Sequence, residues 1–217
     1  MDIRTELSKG TPLLFDGAMG TYYASLPGRA EAPCELASLS HPQEITAIHQ
    51  AYLKAGCRAI KTNTFAVGAE LAEGNGTLAL EIVRSGCRIA KEAAKSFGAW
   101  VFADMGPVPQ GKRVTPAEAY CCQAKEFLAQ GVTNFLVETL PTSDGIPELA
   151  QYLKKQCPQS FLIVSFAVSS AGATWAGRRG AEPLRQTAQL PGVDPAGSHC
   201  GYGPHHLLAQ IRRTLIT

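Results

Sequence analysis

The feature that most constrains the fold is a repeated alternation between short apolar runs and longer amphipathic segments. Each apolar run has the length of a β-strand and is followed directly by a polar residue. Because parallel strands need a long crossover connection, usually a helix, this alternation predicts an α/β protein with a parallel sheet. The six runs end at Asp16, Asn63, Asp104, Glu138, Ser165 and Cys200.

The segments between the runs carry helix start and stop signals. Thr115-Pro-Ala-Glu118 is a capping box with proline at the first helical position, and Gly131 ends the helix that it opens. Cys121 lies on the apolar stripe of this helix and Cys122 lies beside it, so we interpret this cysteine pair as structural. Further helices are predicted over residues 40–56, 77–97, 144–157 and 205–215.

Polar residues at the carboxyl ends of parallel strands are typical of a (β/α)₈ TIM-type barrel, which carries its chemistry on that face. A doubly wound open sheet is the alternative, but no Gly-x-Gly-x-x-Gly follows the first run, which disfavours its dinucleotide-binding form. A full barrel typically needs about 250 residues. For 217 residues with six strand–helix units, we expect a single domain over 1–217 that lacks the last two units.

Composition narrows the class of protein. Hydrophobic residues make up 45% of the chain and charged residues 18%, as in ordinary globular domains. A net charge of +2 without a basic stripe argues against nucleic acid as a partner, and no apolar run approaches the about 20 residues of a membrane span. The polar N-terminus and seven irregularly spaced cysteines favour reduced thiols in the cytoplasm.

Five segments at the predicted strand ends also occur together in a known family. In chain order they are Leu14-Phe-Asp-Gly-Ala-Met-Gly-Thr21, Thr62-Asn-Thr-Phe65, Ala103-Asp-Met-Gly-Pro107, Leu136-Val-Glu-Thr-Leu140 and Cys200-Gly-Tyr-Gly-Pro204. From about Leu13 to Leu215 the chain resembles the homocysteine S-methyltransferase family, which includes the N-terminal domain of cobalamin-dependent methionine synthase.

The resemblance implies a zinc enzyme that transfers a methyl group from a donor to the thiol of homocysteine, giving methionine. Asp16 and Glu138 match acids that hold the ammonium group of the amino acid, and two carboxylates at neighbouring strand ends can pair with one cation. Gly17 and Ala18, in a tight loop with backbone N–H groups for a carboxylate, and Asn63 complete the expected substrate site. We assign no residue to the catalytic step itself.

The resemblance assigns one zinc ligand, Cys200, and this is where the chain departs from the family pattern. Two further family ligands are adjacent cysteines on an eighth strand, which we do not find, and the Cys121-Cys122 pair lies in a predicted helix. Catalytic zinc sites use about three protein ligands. The activity of this chain alone is therefore left open.

Three functions remain as alternatives. The first is a homocysteine S-methyltransferase domain, whose donor stays open between methylcobalamin, methylfolate, S-methylmethionine and betaine; cobalamin- or folate-binding modules would lie elsewhere. The second is a zinc-less homologue that acts as a non-catalytic binding or assembly partner. The third is another barrel lyase or aldolase that uses Asp104 and Glu138, but no lysine closes a predicted strand, which argues against Schiff-base chemistry.

Overall fold

A computed structural model describes residues 3–30, 33–169, 173–174, 176–177 and 181–199. Cys200 and the helix predicted over 205–215 lie outside these residues. Within them, five parallel strands form one sheet in chain order. The strands are β1 (Ala59–Lys61), β2 (Trp100–Met105), β3 (Asn134–Leu140), β4 (Phe161–Ala167) and β5 (Ala196–His199).

Each strand pairs with the next one along the chain, and helices connect them. This sequential parallel order is that of a TIM-type barrel, whereas a doubly wound sheet reverses its order at a switch point. The predicted α/β fold class is confirmed. The expectation of six full strands is wrong for the described residues, which form five.

The missing strand is the first apolar run, before Asp16. It contributes a single parallel bridge, Phe15 to Ala59, in which the Asp16 N–H donates to the Ala59 carbonyl at 2.9 Å. The backbone then leaves the sheet at Gly17, where a β-carbon would lie 2.7 Å from the Tyr52 hydroxyl. The segment therefore aligns with β1 for one residue only, which is enough to place Asp16 at the sheet edge.

Four predicted helices lie in the described residues, and all four form near their expected bounds. The helix opened by Thr115 has both hydrogen bonds of its capping box, between Thr115 and Glu118. The other five helices of the described part were not predicted: three precede the sheet, at residues 3–7, 19–24 and 37–40, and two lie between its strands, at residues 67–73 and 181–188. The helices are α1 (Ile3–Leu7), α2 (Met19–Ala24), α3 (Ala37–Ser40), α4 (Pro42–Lys54), α5 (Val67–Glu73), α6 (Gly76–Lys95), α7 (Pro116–Ala129), α8 (Ile146–Gln156) and α9 (Ala181–Ala188). No helix in the described part is both long and apolar enough to span a membrane.

The strands alternate between two apolar layers, as the pleat requires. Side chains on one face of the sheet pack against the helices. Those on the other, inner face pack against one another around Phe102, Leu136 and Phe161. Two residues further along β1, β2 and β3, the inner positions hold Lys61, Asp104 and Glu138. The interior is thus apolar at one end and charged at the carboxyl end.

Gly145 begins α8 and is the position where the fold depends most directly on glycine. Its φ is +80°, and an added β-carbon would lie 2.7 Å from the Ala117 nitrogen and 2.8 Å from the Pro116 carbonyl carbon, both backbone atoms. Gly145→Ala is expected to cost about 3 kcal/mol or more, combining left-handed strain with a backbone overlap.

Gly131 provides the matched control for Gly145→Ala. Its φ is +74°, but the nearest atom to a β-carbon is the end of the Lys91 side chain at 3.6 Å. Gly131→Ala should cost only the conformational strain of about 1 kcal/mol. Urea unfolding of both variants measures the difference in the free energy of unfolding. Equal losses in the two variants would show that α7 and α8 can move apart at little cost to accommodate the added β-carbon.

Candidate active site

A cavity of about 690 Å³ lies at the carboxyl ends of the strands. The loop over residues 16–21 and residues of all five strands, β1 to β5, line this cavity. Carboxyl ends of parallel strands are where barrel enzymes carry their chemistry. The side chains that give the cavity its charge are Asp16, Glu35, Lys61, Asp104 and Glu138.

A larger groove of about 970 Å³ lies elsewhere, on the outer face of α6. Its charged side chains, including Arg84, Arg88, Lys91 and Lys95, are exposed, and Arg84 is already paired with Glu126 at 2.8 Å. Ion pairs at the surface contribute little to the stability of the fold. The strand-end cavity is the better candidate because its charged groups converge and are withdrawn from water.

Asp16 is an acid of the cavity whose ionised form is disfavoured by burial. It is 8% exposed, and its Oδ2 accepts a hydrogen bond from the backbone N–H of Lys61 at 3.1 Å. Its Oδ1 is buried with no hydrogen-bond partner among the described residues. Burial raises the pKa of Asp16 to about 7, against the opposing attraction of Lys61. A buried carboxylate oxygen without a partner is costly, so this atom has an unused capacity to bind a cationic donor.

Glu138 enters the cavity from β3 and forms an ion pair with Lys61, with Oε1 3.1 Å from Nζ. Both side chains are 16% exposed. The β3–β4 register shifts between Val137 and Leu140, and Thr139 has a φ of +62°, which is strained for a β-branched residue. Bulges and strained residues of this kind re-aim a neighbouring side chain at functional sites.

Asp104 supplies a third acid from β2. It is 5% exposed, and its Oδ1 has no hydrogen-bond partner in the described part of the chain. Burial, followed by repulsion from Glu138, raises the pKa of Asp104 well above its ordinary value. Its backbone is fixed by Thr62 and Thr64, whose hydroxyls bond to the Asp104 N–H at 3.0 Å and its carbonyl at 2.7 Å.

Lys61 lies among these acids and is the site residue that the sequence analysis missed. Burial disfavours its charge, but attraction by Asp104, Glu138 and Asp16 outweighs burial and raises the pKa of Lys61. The signal was the pleat of β1, since Lys61 follows the inward-facing Ala59 by two residues.

This position also corrects one argument made from sequence. Lys61 is the last residue of β1, so the statement that no lysine closes a strand is wrong. Schiff-base chemistry is still disfavoured, for another reason. It needs a neutral amine as the nucleophile, whereas Lys61 has a raised pKa and pairs with Glu138.

Asn63 lines the cavity, but its amide is already bonded to the protein. Its Nδ2 donates to the Cys34 carbonyl at 2.7 Å and to the Ser38 hydroxyl at 3.0 Å, and its Oδ1 accepts from the Cys34 thiol at 3.1 Å. Burial raises the pKa of Cys34 to about 12, which keeps this thiol a donor. In the structure Asn63 holds the segment around Cys34 in place, and its contact with substrate stays a prediction.

Gly17 and Ala18 line the cavity beside Asp16. A β-carbon on Gly17 would overlap the Tyr52 ring, and the Tyr52 hydroxyl donates to the Ala18 carbonyl at 3.2 Å. The loop is therefore held against α4, with Asp16 at its start. Of the predicted substrate residues, all five line this one cavity: Asp16, Gly17, Ala18, Asn63 and Glu138.

The described residues do not fit a zinc site. No group of three or more His, Cys, Asp or Glu side chains among them could hold a metal ion. The predicted ligand, Cys200, lies outside the described residues. Within them, the acids of the cavity lie around Lys61, whose ammonium group occupies the position where a metal ion would bind to them.

The Cys121–Cys122 pair lies in α7 as predicted, but the placement of Cys121 on the buried face of this helix is wrong. Cys121 is half-buried and Cys122 is exposed. The buried face of α7 passes instead through Ala119, Tyr120 and Ala124 and on to Phe127. Periodicity alone did not resolve which neighbouring positions would lie at the edge of this face.

Comparison with known proteins places this geometry in a family. The homocysteine S-methyltransferase family profile matches residues 13–215. Among solved structures, the apo form of the homocysteine methyltransferase MmuM from Escherichia coli superposes with a TM-score of 0.73 at 22% identity, covering 97% of this chain and 81% of that one.

Two other forms of the same Escherichia coli enzyme are also similar. The metallated form has a TM-score of 0.70 at 21% identity, covering 91% of this chain and 77% of that one. The oxidized form has a TM-score of 0.63 at 18% identity, covering 97% and 99%. At these identities the solved structures support the fold, and the profile supports the family.

Proposed function

The chain belongs to the homocysteine S-methyltransferase family, and on this premise we propose that its strand-end cavity binds the amino-acid part of homocysteine, whose sulfur accepts a methyl group. One observation carries the proposal. Two buried acids, Asp16 and Asp104, and the half-buried Glu138 lie around one lysine, and Asp16 and Asp104 each keep a buried oxygen with no hydrogen-bond partner among the described residues. Such a site lacks a second positive charge, and the ammonium group of an amino acid supplies it.

The acids have different tasks in this proposal. Asp16 and Glu138 receive the ammonium group, as their match to the family implies. A cation between them would stabilise the ionised form of Asp16 and lower its pKa from about 7. Asp104 is buried more completely than Asp16, and burial raises its pKa well above the ordinary value; in this proposal it lies beside the pair as a further hydrogen-bonding group.

The proposed reaction is a methyl transfer to the homocysteine sulfur. The homocysteine sulfur attacks the donor's methyl carbon, a carbon–sulfur bond forms, the bond from methyl to the donor breaks, and the thiol proton is released. A thiol with an unperturbed pKa near 8.5 is mostly protonated at neutral pH, so the family's zinc would serve to hold it as thiolate. The described residues bind and orient the amino acid, and we assign none of these steps to them.

The test of the proposed function is calorimetric titration of the purified chain with L-homocysteine, followed by assay of methionine formation. S-methylmethionine, betaine, methylcobalamin and methylfolate are supplied in parallel as donors. Saturable binding with methionine formation supports a methyltransferase. Binding without turnover under every donor supports the non-catalytic alternative, and no binding of homocysteine overturns the proposed site.

Zinc is tested separately through Cys200, which the family resemblance makes a ligand. Because Cys200 is the one family ligand found in this chain, we expect well under one zinc per chain in protein purified with zinc, and a loss of most of that zinc in Cys200→Ser. Cys122→Ser is the matched control, because Cys122 is exposed on α7 away from the cavity, and it should leave the zinc content unchanged. Metal analysis by mass spectrometry decides between them. Equal zinc in wild type and Cys200→Ser would remove Cys200 as a ligand.

A further inference from the structure

We propose that Lys61 is the specificity-determining residue of the cavity and pairs with the α-carboxylate of the amino-acid substrate. The inference rests on the proposed function, because it assigns the second charge of the amino acid whose ammonium group Asp16 and Glu138 receive. It predicts that the site selects zwitterionic α-amino acids over amines that carry the same side chain.

Charge balance in the cavity is the first argument. Of the described residues that line it, Lys61 is the one with a cationic side chain, whereas Asp16, Glu35, Asp104 and Glu138 are acids. A carboxylate that enters this space is repelled at short range by the acids, and in a buried site this repulsion is poorly screened. Lys61 is the described side chain that can offset it.

The donor capacity of Lys61 is the second argument. Its ammonium group carries three N–H donors. In the described part of the chain, Nζ makes one hydrogen bond, to Glu138 at 3.1 Å. Donors therefore remain for a ligand while the ion pair is in place. When the ligand's ammonium takes over part of the interaction with Glu138, Lys61 becomes free to turn to the ligand's carboxylate.

Proximity is the third argument. An α-amino acid carries both charges on one carbon, so the groups that receive them must be neighbours. Lys61 contacts both acids assigned to the ammonium group: its backbone N–H donates to Asp16 Oδ2 at 3.1 Å and its side chain pairs with Glu138. Its position at the end of β1 fixes its backbone in the sheet. The three residues therefore form one head-group site.

The experiment compares two ligands that differ in the carboxylate alone: L-methionine and the primary amine left when methionine loses its carboxylate. Calorimetry on the full chain should show that the wild type prefers methionine by at least about tenfold. In Lys61→Met, which keeps the length but removes the charge, methionine should bind about tenfold more weakly. The amine should bind the variant as well as or better than the wild type, since Glu138 has lost its internal partner. Lys61→Arg should restore the preference.

Lys154→Met is the matched control, because Lys154 is exposed on α8, and it should bind both ligands as the wild type does. A wild type that binds both ligands equally would overturn the inference without any variant. So would a Lys61→Met variant that weakens both ligands to the same extent, which is the result of a purely structural role. If the wild type binds neither ligand, the proposed function fails and the inference fails with it. Loss of folding in Lys61→Met is recognised by circular dichroism. In that case the preference for methionine over the amine, measured in the wild type and in Lys61→Arg, tests the inference.

Discussion

Asp16→Asn is expected to stabilise the empty protein by about 2–4 kcal/mol at pH 8. The folded protein raises the pKa of Asp16 from 3.8 to about 7. Below pH 3.8 the acid is neutral in both the folded and the unfolded state and costs nothing. As the pH rises to about 7, the unfolded state releases a proton that the folded state retains, and the difference of about three pKa units corresponds to roughly 4 kcal/mol.

The stabilisation by Asp16→Asn should therefore be small near pH 4, increase up to about pH 7 and remain constant above it. The asparagine oxygen can still accept the hydrogen bond from the Lys61 N–H that Oδ2 accepts in the wild type. Urea unfolding of wild type and variant between pH 4 and 8 measures the difference. Glu92→Gln, an exposed acid on α6, is the control and should show no such trend. If the free energy of unfolding changes with pH in the same way for Asp16→Asn and the wild type, ionisation of Asp16 does not destabilise the folded state.

The same variant should bind amino acids more weakly, by about tenfold to a hundredfold at pH 8. This is the effect of losing a hydrogen bond between charged groups, about 1.5–3 kcal/mol. In the wild type, methionine affinity should fall as the pH drops below about 7, because Asp16 then takes up a proton and loses its charge. Calorimetry at several pH values checks both effects. A variant with increased stability and unchanged affinity would separate Asp16 from ligand binding.

His49→Leu has the second large expected effect, at a residue that does not line the cavity. His49 is fully buried in α4, and neither ring nitrogen has a hydrogen-bond partner among the described residues. Burial lowers the pKa of His49 from 6.5 to about 4. The unfolded state therefore binds a proton more readily, and stability is lost as the pH falls from about 6.5 to about 4. The loss amounts to roughly 3 kcal/mol.

Leucine has a similar volume to histidine and no polar atoms to satisfy. We expect His49→Leu to gain about 1–3 kcal/mol at pH 7.5, from removing buried polar groups without partners, and about 3 kcal/mol more near pH 4. Gln50→Leu, at the exposed neighbouring position of α4, is the matched control and should change little at either pH. Because Asp16 titrates over the same range with the opposite sign, the variant-minus-wild-type difference is the quantity to compare. A difference that does not grow on acidification would show that His49 is protonated in the fold.

Much of the fold could be predicted from local signals. The capping box at Thr115, the stop at Gly131 and the apolar periodicity of α4 and α6 are short-range features, and each formed where it was expected. The first strand was overestimated because an apolar run shows strand propensity, while its pairing depends on a partner far along the chain. The close approach of Gly17 to Tyr52, which turns the segment away from the sheet, leaves no trace in the local pattern.

The sequence by itself determined the alternation of elements, the parallel sheet and the acids at the strand ends, because periodicity, caps and strand length are properties of neighbouring residues. Only the tertiary structure decided what those acids do to one another. Lys61 becomes part of the site through the pleat of β1 and the register of three strands, Asn63 is engaged by Cys34 and Ser38, and Asp16 and Asp104 are left with buried oxygens that nothing in the described chain satisfies. These outcomes depend on burial and on distances between residues up to 77 positions apart, as for Lys61 and Glu138. No local pattern records such distances.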